Sequence, residues 1–135
     1  MADEVLLKEP LTDQMIREGE ALTRQLDDMG VPLTASFWLY ASERNDWRLT
    51  FASPVVAAEG QVAFYDILIK AMHALNQPTS DLLHISVFWP NEPVVRELST
   101  LTPNGVLAHS KRFNGLLDRC YIDDSYLYRV TPTAA

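Results

Sequence analysis

The segment from Thr34 to Leu75 constrains the fold of this chain more than any other part of the sequence. Two stretches rich in aromatic and β-branched residues, 34–41 and 47–53, are joined by five residues that include Ser, Asn and Asp. Alternation with period two is typical of strands on a pleated sheet, and the polar connection favours a hairpin turn. Pro54 cannot donate to a sheet ladder, so the second strand should end before it. The segment therefore predicts a β-hairpin followed by a helix.

Alternation divides each strand of this hairpin between two faces. One face of the first strand carries Ala35, Phe37, Leu39 and Ala41, and the other carries Ser36, Trp38 and Tyr40. One face of the second strand carries Trp47, Leu49 and Phe51, and the other carries Arg48, Thr50 and Ala52. We expect the faces with Phe37 and Phe51 to form one core together with residues from the later elements, namely Phe37, Leu39, Leu49, Phe51, Leu68, Met72, Ile85 and Val87.

The less buried face of the hairpin then shows Trp38 and Tyr40 beside Arg48, and these three are the candidate binding residues. Aromatic and arginine side chains are enriched at the hot spots of protein interfaces. The alternative is that another element of the same domain covers them, which is the commoner use of an aromatic stripe in a small domain.

Helical spacing predicts three helices. In the first, Met15, Gly19, Leu22, Leu26 and Met29 recur every three or four residues, with Thr12 or Asp13 as the N-cap and Gly30 after the end. The same stripe resembles a coiled-coil seam that could support dimerisation, although packing on the domain's own sheet needs the same residues. The second helix is expected over residues 59–76, and the third over 92–101.

Further strands are expected over 82–89, 113–122 and 125–130, with a tight turn at Asp123-Asp124. The strand over 82–89 is almost continuously apolar, as in a central strand, and the last strand has the pattern of an edge. The predicted fold is α+β: a single mixed, mainly antiparallel sheet of about five strands, in the order α-β-β-α-β-α-β-β, packed with three helices. Residues 1–10 should form an N-terminal arm, 11–130 one domain, and 131–135 a tail.

The formal charge of −7 argues against general binding to nucleic acid, which needs clustered Lys and Arg. No apolar run approaches the length that spans a membrane. Asp3 and Glu4 give the N-terminus the wrong charge for a secretory signal, so we expect a cytoplasmic protein. Cys120 is the only cysteine, so no intrachain disulfide can form, and the overall character of the chain is that of a stand-alone bacterial protein.

No phosphate-binding glycine loop, His-Glu-x-x-His motif or calcium loop is present, so we expect no cofactor and no metal and assign no catalytic residue. Asp81, His84 and Ser86 are close in sequence, but residues two apart on a strand point in parallel, which does not favour a catalytic relay.

The expected function is that of a non-catalytic interaction or regulatory module with a protein partner, a second copy of the chain being one candidate. The alternative is a small hydrolase or nuclease-like enzyme, with a pocket near His84 that contains some of Asp66, Asp81, Arg112 and Arg119. Co-location of these charged groups would favour the enzyme, and their dispersion would favour the module.

Overall fold

The computed structural model of the protein describes residues 9–100, 111–116 and 121–130. Its α-helices are α1 (Asp13–Asp28), α2 (Pro54–Glu59), α3 (Gln61–Ala74) and α4 (Pro93–Ser99), and a 3₁₀ helix covers Thr79–His84. Its strands are β1 (Ala35–Ala41), β2 (Asp46–Ala52), β3 (Ile85–Phe88), β4 (Lys111–Leu116) and β5 (Tyr121–Val130). The predicted arm as far as residue 8, Cys120 and the tail 131–135 lie outside the described residues.

The five strands form one mixed sheet in the order β3-β2-β1-β5-β4. β2 and β3 are parallel, and the other neighbouring pairs are antiparallel. Helices α2 and α3 carry the chain from β2 to the parallel strand β3, because such a connection has to cross one face of the sheet. The predicted α+β fold is confirmed.

The first helix begins and ends at the predicted residues. The Thr12 hydroxyl accepts a hydrogen bond from the Met15 N–H at 3.1 Å, and Gly30 takes the left-handed conformation with φ +77°. The second predicted helix, over 59–76, corresponds to α3, and the short helix α2 before it was not predicted; Gly60, at φ +93°, separates the two. Such a φ is strained for any residue with a side chain, so the glycine marks the break.

The register of the hairpin differs by one residue from the prediction. Ala41 pairs with Asp46, which puts Trp38 opposite Leu49 and Tyr40 opposite Trp47. A slip of one residue moves a whole set of side chains to the other face of a strand. Trp38 and Tyr40 therefore share a face with the aromatic residues of β2, whereas Phe37 lies on the other face, and the predicted pairing of faces is wrong.

Both faces of the sheet are covered, and this makes two cores. The first core lies between the sheet and helices α1 and α3, and it includes Leu26, Trp38, Leu49, Phe51, Phe64, Leu68, Met72, Ile85 and Val87. The second core lies on the other face, where α4 packs, and it includes Ala35, Phe37, Val95, Leu98, Ile122 and Leu127. The prediction of one core is wrong, because Phe37 and Leu39 belong to the second core and the other six residues to the first.

Three further predictions about strands are wrong. Residues 82–84 are in the 3₁₀ helix, so β3 has four residues, and it lies at an edge of the sheet. Its apolar pattern reflects cover by α3, whose Tyr65 hydroxyl donates to the Ile85 carbonyl at 3.2 Å. β5 is an interior strand between β1 and β4, and it runs through Asp123-Asp124 where a turn was expected. Asp124 is tolerated there because Arg112 neutralises it.

Candidate functional site

A cleft of about 480 Å³ opens beside α1 at the hairpin end of β1 and β2. Its sheet side is lined by Trp38, Trp47, Leu49 and Ile85, and its helix side by Met15, Leu22 and Met72. The polar residues that line it are Glu9, Glu18, Arg44, Asn45, Asp46, Gln77 and His84. An apolar floor with a few polar groups, at this volume, is the usual composition of a ligand-binding site.

One wall of the cleft depends on a close approach between α1 and the sheet at Gly19. A Cβ atom at this position would lie 2.5 Å from the Tyr128 hydroxyl and 2.8 Å from Trp38 Nε1. The Trp38 indole N–H donates to that hydroxyl at 3.0 Å, and the hydroxyl donates to the Ile16 carbonyl at 2.5 Å. Burial raises the pKa of Tyr128, so the phenol stays protonated and keeps this chain of hydrogen bonds intact.

The rim of the cleft holds the backbone of Glu9. The side-chain oxygen of Asn45 accepts from the Glu9 N–H at 2.8 Å, and the Trp47 indole N–H donates to the Glu9 carbonyl at 2.7 Å. The Tyr40 hydroxyl also donates to the Asn45 oxygen, at 2.5 Å. Asn45 has φ +48°, a conformation that asparagine adopts more readily than most residues, and this geometry points its side chain toward Glu9.

The ring of Trp47 also contacts a cationic group, the guanidinium of Arg112. The Arg112 guanidinium carbon lies 5.3 Å from the centre of a Trp47 ring, within the range of a cation–π contact. Arg112 also donates to both oxygens of Asp124, at 2.7 and 2.6 Å, and these bonds raise the pKa of the arginine. The ion pair fixes the position of Arg112, and the cation–π contact then restrains the ring of Trp47.

His84 and Asp46 meet at the other end of the rim. His84 Nδ1 lies 3.8 Å from one oxygen of Asp46, and the other oxygen lies 3.7 Å from the Arg48 guanidinium. The Ser86 hydroxyl accepts from Arg48 Nε at 2.7 Å, so the side-chain partner that the structure gives it is Arg48 and not His84. The described residues that line the cleft include no Ser, Thr, Cys, Lys or Tyr, so they offer carboxylates and one imidazole for chemistry but no hydroxyl, thiol or amine nucleophile.

The three candidate binding residues do not form the exposed patch that was expected. Trp38 is 6% exposed and Tyr40 is 7% exposed, because α1 and α3 cover their face of the sheet. Arg48 pairs with Leu39 on the opposite face. Trp38 lines the cleft and Tyr40 positions Asn45, so a binding role for these residues stays a prediction.

Only part of the predicted enzyme pocket assembles. His84 lines the cleft, whereas the described residues Asp66 and Arg112 are not in its lining. Arg112 is bound to Asp124, and Asp66 is exposed on α3. The Asp81 side chain and Arg119 lie outside the part of the structure that is described.

The sequence reasoning missed Glu18, Asn45 and Gln77 as residues of the site. A signal was available for Glu18, which lies three residues after Met15 and four before Leu22 and so places a charge on the arc of α1 that carries the apolar stripe. Asn45 and Gln77 carried no such signal, since each lies in a connection where polar residues are usual.

Within the described ranges, no helix is both long and apolar enough to cross a membrane, and no group of three or more His, Cys, Asp or Glu side chains is placed to hold a metal ion. No protein-family model matches this chain, and neither a curated protein nor a solved structure shows significant similarity to it.

Proposed function

We propose that the protein is a non-catalytic interaction module that binds a short segment of a partner protein in the cleft. The observation that carries this proposal is the composition of the cleft: an apolar floor, a polar rim and no hydroxyl, thiol or amine nucleophile among its described lining residues. The dispersion of Asp66 and Arg112 away from His84 also favours binding over catalysis.

The rim supports a peptide as the ligand. Asn45 and Trp47 already bind the N–H and the carbonyl of Glu9, which are the two groups that every peptide unit offers. With Glu9 and Pro10 as part of its wall, the cleft still has a volume of about 480 Å³, so a second segment has room beside them. Main-chain hydrogen bonds combined with a pocket for side chains are a common mode of peptide recognition.

The proposal is tested with a panel of acetylated, amidated tripeptides Leu-X-Leu, where X represents each chemical class of side chain, titrated into the ¹⁵N-labelled protein. The indole N–H signals of Trp38 and Trp47 report on the cleft, and that of Trp89, which does not line it, is the internal control. We expect at least one peptide to shift the first two signals in a saturable way and to leave Trp89 unchanged. If no peptide does so, the cleft is not a peptide site.

A second copy of the chain is one candidate for the partner. Leu116 and Tyr121 are directly paired across β4 and β5, and both are exposed. Sedimentation velocity over a range of concentrations tests this: a homodimer should give a larger sedimentation coefficient at high concentration, and the Leu116→Ser substitution should reduce it. A constant monomer value would leave a different protein as the partner. We infer the cytoplasm of a bacterium as the compartment; for the cytoplasm the support is the single cysteine, since a chain without an intrachain disulfide suits a reducing environment.

One observation favours the hydrolase as a second candidate function: the contact of 3.8 Å between His84 and Asp46 at the cleft. A carboxylate that orients an imidazole can make it a general base toward water. The test is the hydrolysis of a nitrophenyl ester and of a nitrophenyl phosphodiester by the protein and by His84→Ala. Turnover above buffer that His84→Ala abolishes would replace the binding module with the enzyme, and equal rates for both proteins would exclude His84 as its base.

A further inference from the structure

We propose that the cleft receives a cationic side chain with an apolar stem, a lysine or arginine of the partner segment, with its charged head at Glu18. This inference rests on the proposed function, since it names the chemistry of the segment that the same cleft binds. It commits to a basic partner and excludes an acidic or purely apolar one.

The position of Glu18 is the first observation. Met15, Gly19 and Leu22 form the stripe with which α1 meets the sheet and the cleft, and Glu18 lies on the same arc of the helix. A carboxylate on the inward stripe of a helix costs desolvation that an apolar side chain would avoid. Glu18 is only partly exposed, so a ligand that fills the cleft would remove more water from it.

The lack of a cation beside this carboxylate is the second observation. Gln14 donates to Glu18 Oε2 at 3.1 Å, and among the described residues no Lys, Arg or His forms an ion pair with Glu18. The other inner carboxylate of the cleft, that of Asp46, already has the Arg48 guanidinium at 3.7 Å. Glu9 also lines the cleft but is exposed to solvent, so Glu18 is the partly buried carboxylate whose charge a ligand can still neutralise.

The floor beside Glu18 is the third observation. Met15, Leu22 and Trp38 offer sulfur, aliphatic and aromatic surface next to the carboxylate. Lysine and arginine bury their methylene stems along such surface and keep the charged head at a polar group. Tryptophan is also the aromatic residue that attracts a cation most strongly. Glu9 and Glu18 together with Asp46 outnumber the one arginine of the lining, Arg44, so the charge of the cleft is complementary to a basic ligand.

The test compares three tripeptides, acetyl-Leu-Lys-Leu-amide and its analogues with norleucine or glutamate in the centre, by titration into the ¹⁵N-labelled protein. Norleucine keeps the length and apolarity of the lysine stem without the charge. We expect the lysine peptide to bind about tenfold more tightly than the norleucine peptide, and the glutamate peptide to bind most weakly. This preference should shrink as salt is added, because part of it is electrostatic.

Glu18→Gln removes the charge and preserves the shape, and Glu20→Gln makes the same change on the outer surface of α1, where Glu20 pairs with Arg24. We expect Glu18→Gln to abolish the preference for lysine over norleucine, and Glu20→Gln to leave it unchanged. Equal binding of the lysine and norleucine peptides to the unmodified protein would overturn this inference but leave the cleft as a peptide site. A lysine preference that survives in Glu18→Gln would overturn the role of Glu18. If none of the three peptides binds, and no peptide of the Leu-X-Leu panel shifts the Trp38 and Trp47 signals, the proposed function itself is overturned.

Discussion

The layer between the helices and the sheet has a closed half and an open half, and the two are built differently. In the closed half, Leu26, Phe51, Phe64 and Leu68 are completely buried, and the rings of Phe51 and Phe64 are 6.3 Å apart. In the open half, the cleft is lined by the N-terminal part of α1, by Met72 near the C-terminal end of α3 and by the sheet. The same two helices therefore seal one end of the sheet and leave the other accessible.

The difference lies in how each half keeps its aromatic residues in place. The phenylalanines of the closed half have no polar atoms and are held by packing alone. The aromatic residues of the open half each have a polar partner: Trp38 with Tyr128, Tyr40 with Asn45, and Trp47 with Glu9. These rings are also buried, but their polar contacts add a fixed orientation to the packing, which suits side chains that border an open cleft.

The largest expected effect belongs to the closed half. Phe51→Ala should lower the free energy of unfolding by about 3 to 5 kcal/mol, because the cavity left beside Phe64 and Leu68 is enclosed and cannot fill with water. Urea denaturation followed by circular dichroism measures the change. A loss well below 1 kcal/mol would mean that this half can collapse around the cavity and is not tightly packed.

The polar contacts of the open half should contribute less to the free energy of unfolding than the packing of Phe51 does. Arg112→Met removes the guanidinium that donates to both oxygens of the Asp124 carboxylate, which is 3% exposed, and removes the contact with Trp47. We expect the free energy of unfolding to fall by about 2 kcal/mol. Removal of one partner from a fully buried ion pair can cost more than this, but the Arg112 side chain is 51% exposed, so water can replace part of its contact with Asp124. The Trp47 indole signal should also move in the NMR spectrum. An unchanged signal together with unchanged stability would show that Trp47 does not depend on this support.

The boundary between the halves is tested at Gly19. Alanine gains helix propensity, but its Cβ would collide with the Tyr128 hydroxyl, so Gly19→Ala should be net destabilising by about 1 kcal/mol. In a Tyr128→Phe background the same substitution should cost less, because the nearest atom is absent. If the cost is equal in both backgrounds, the close approach of α1 to the sheet at this point does not limit its packing.

Much of the fold could be predicted from local signals. The alternation of 34–41, the stripe of α1 and the breaks at Gly30 and Pro54 each predicted an element that the structure contains. The register between β1 and β2 was harder to predict. A change of one residue in the length of the connection 42–45 reverses which residues share a face, and the composition of the connection does not reveal its length. This is why Trp38 and Tyr40 were expected at the surface and lie in the first core.

The candidate site was less predictable, for a physical reason. Its polar residues come from the N-terminal segment, α1, the hairpin loop, the start of β2, the connection after α3 and the end of the 3₁₀ helix, and they meet only through long-range packing. His84 was singled out as a pocket residue, but its neighbour Asp46 is 38 positions away in the sequence and was not. Glu18 was the one member with a local signal, as a charged residue on an apolar stripe.

The smallest expected effect is an ion pair at the outer edge of the closed half, where Arg129 of β5 donates to both oxygens of Asp27 at the end of α1, at 2.8 and 2.7 Å. These bonds hold the pKa of Asp27 below its usual value of 3.8. Because the carboxylate is more acidic in the folded state, its contribution to stability is complete above the unfolded pKa and is lost as the pH falls through the folded one. Both side chains are partly exposed, so the contribution should stay below about 1 kcal/mol.

Arg129→Met should therefore cost this small amount at neutral pH, and the difference from the unmodified protein should disappear between about pH 5 and pH 2. Urea denaturation at a series of pH values measures it. Arg24→Met, which removes an exposed arginine from the outer face of α1, controls for the general loss of a positive charge. A difference that persists unchanged at pH 2 would show that Arg129 stabilises the closed half through the packing of its stem and not through Asp27. The closed half would then be held by packing even at its edge, which would sharpen its contrast with the polar construction of the open half.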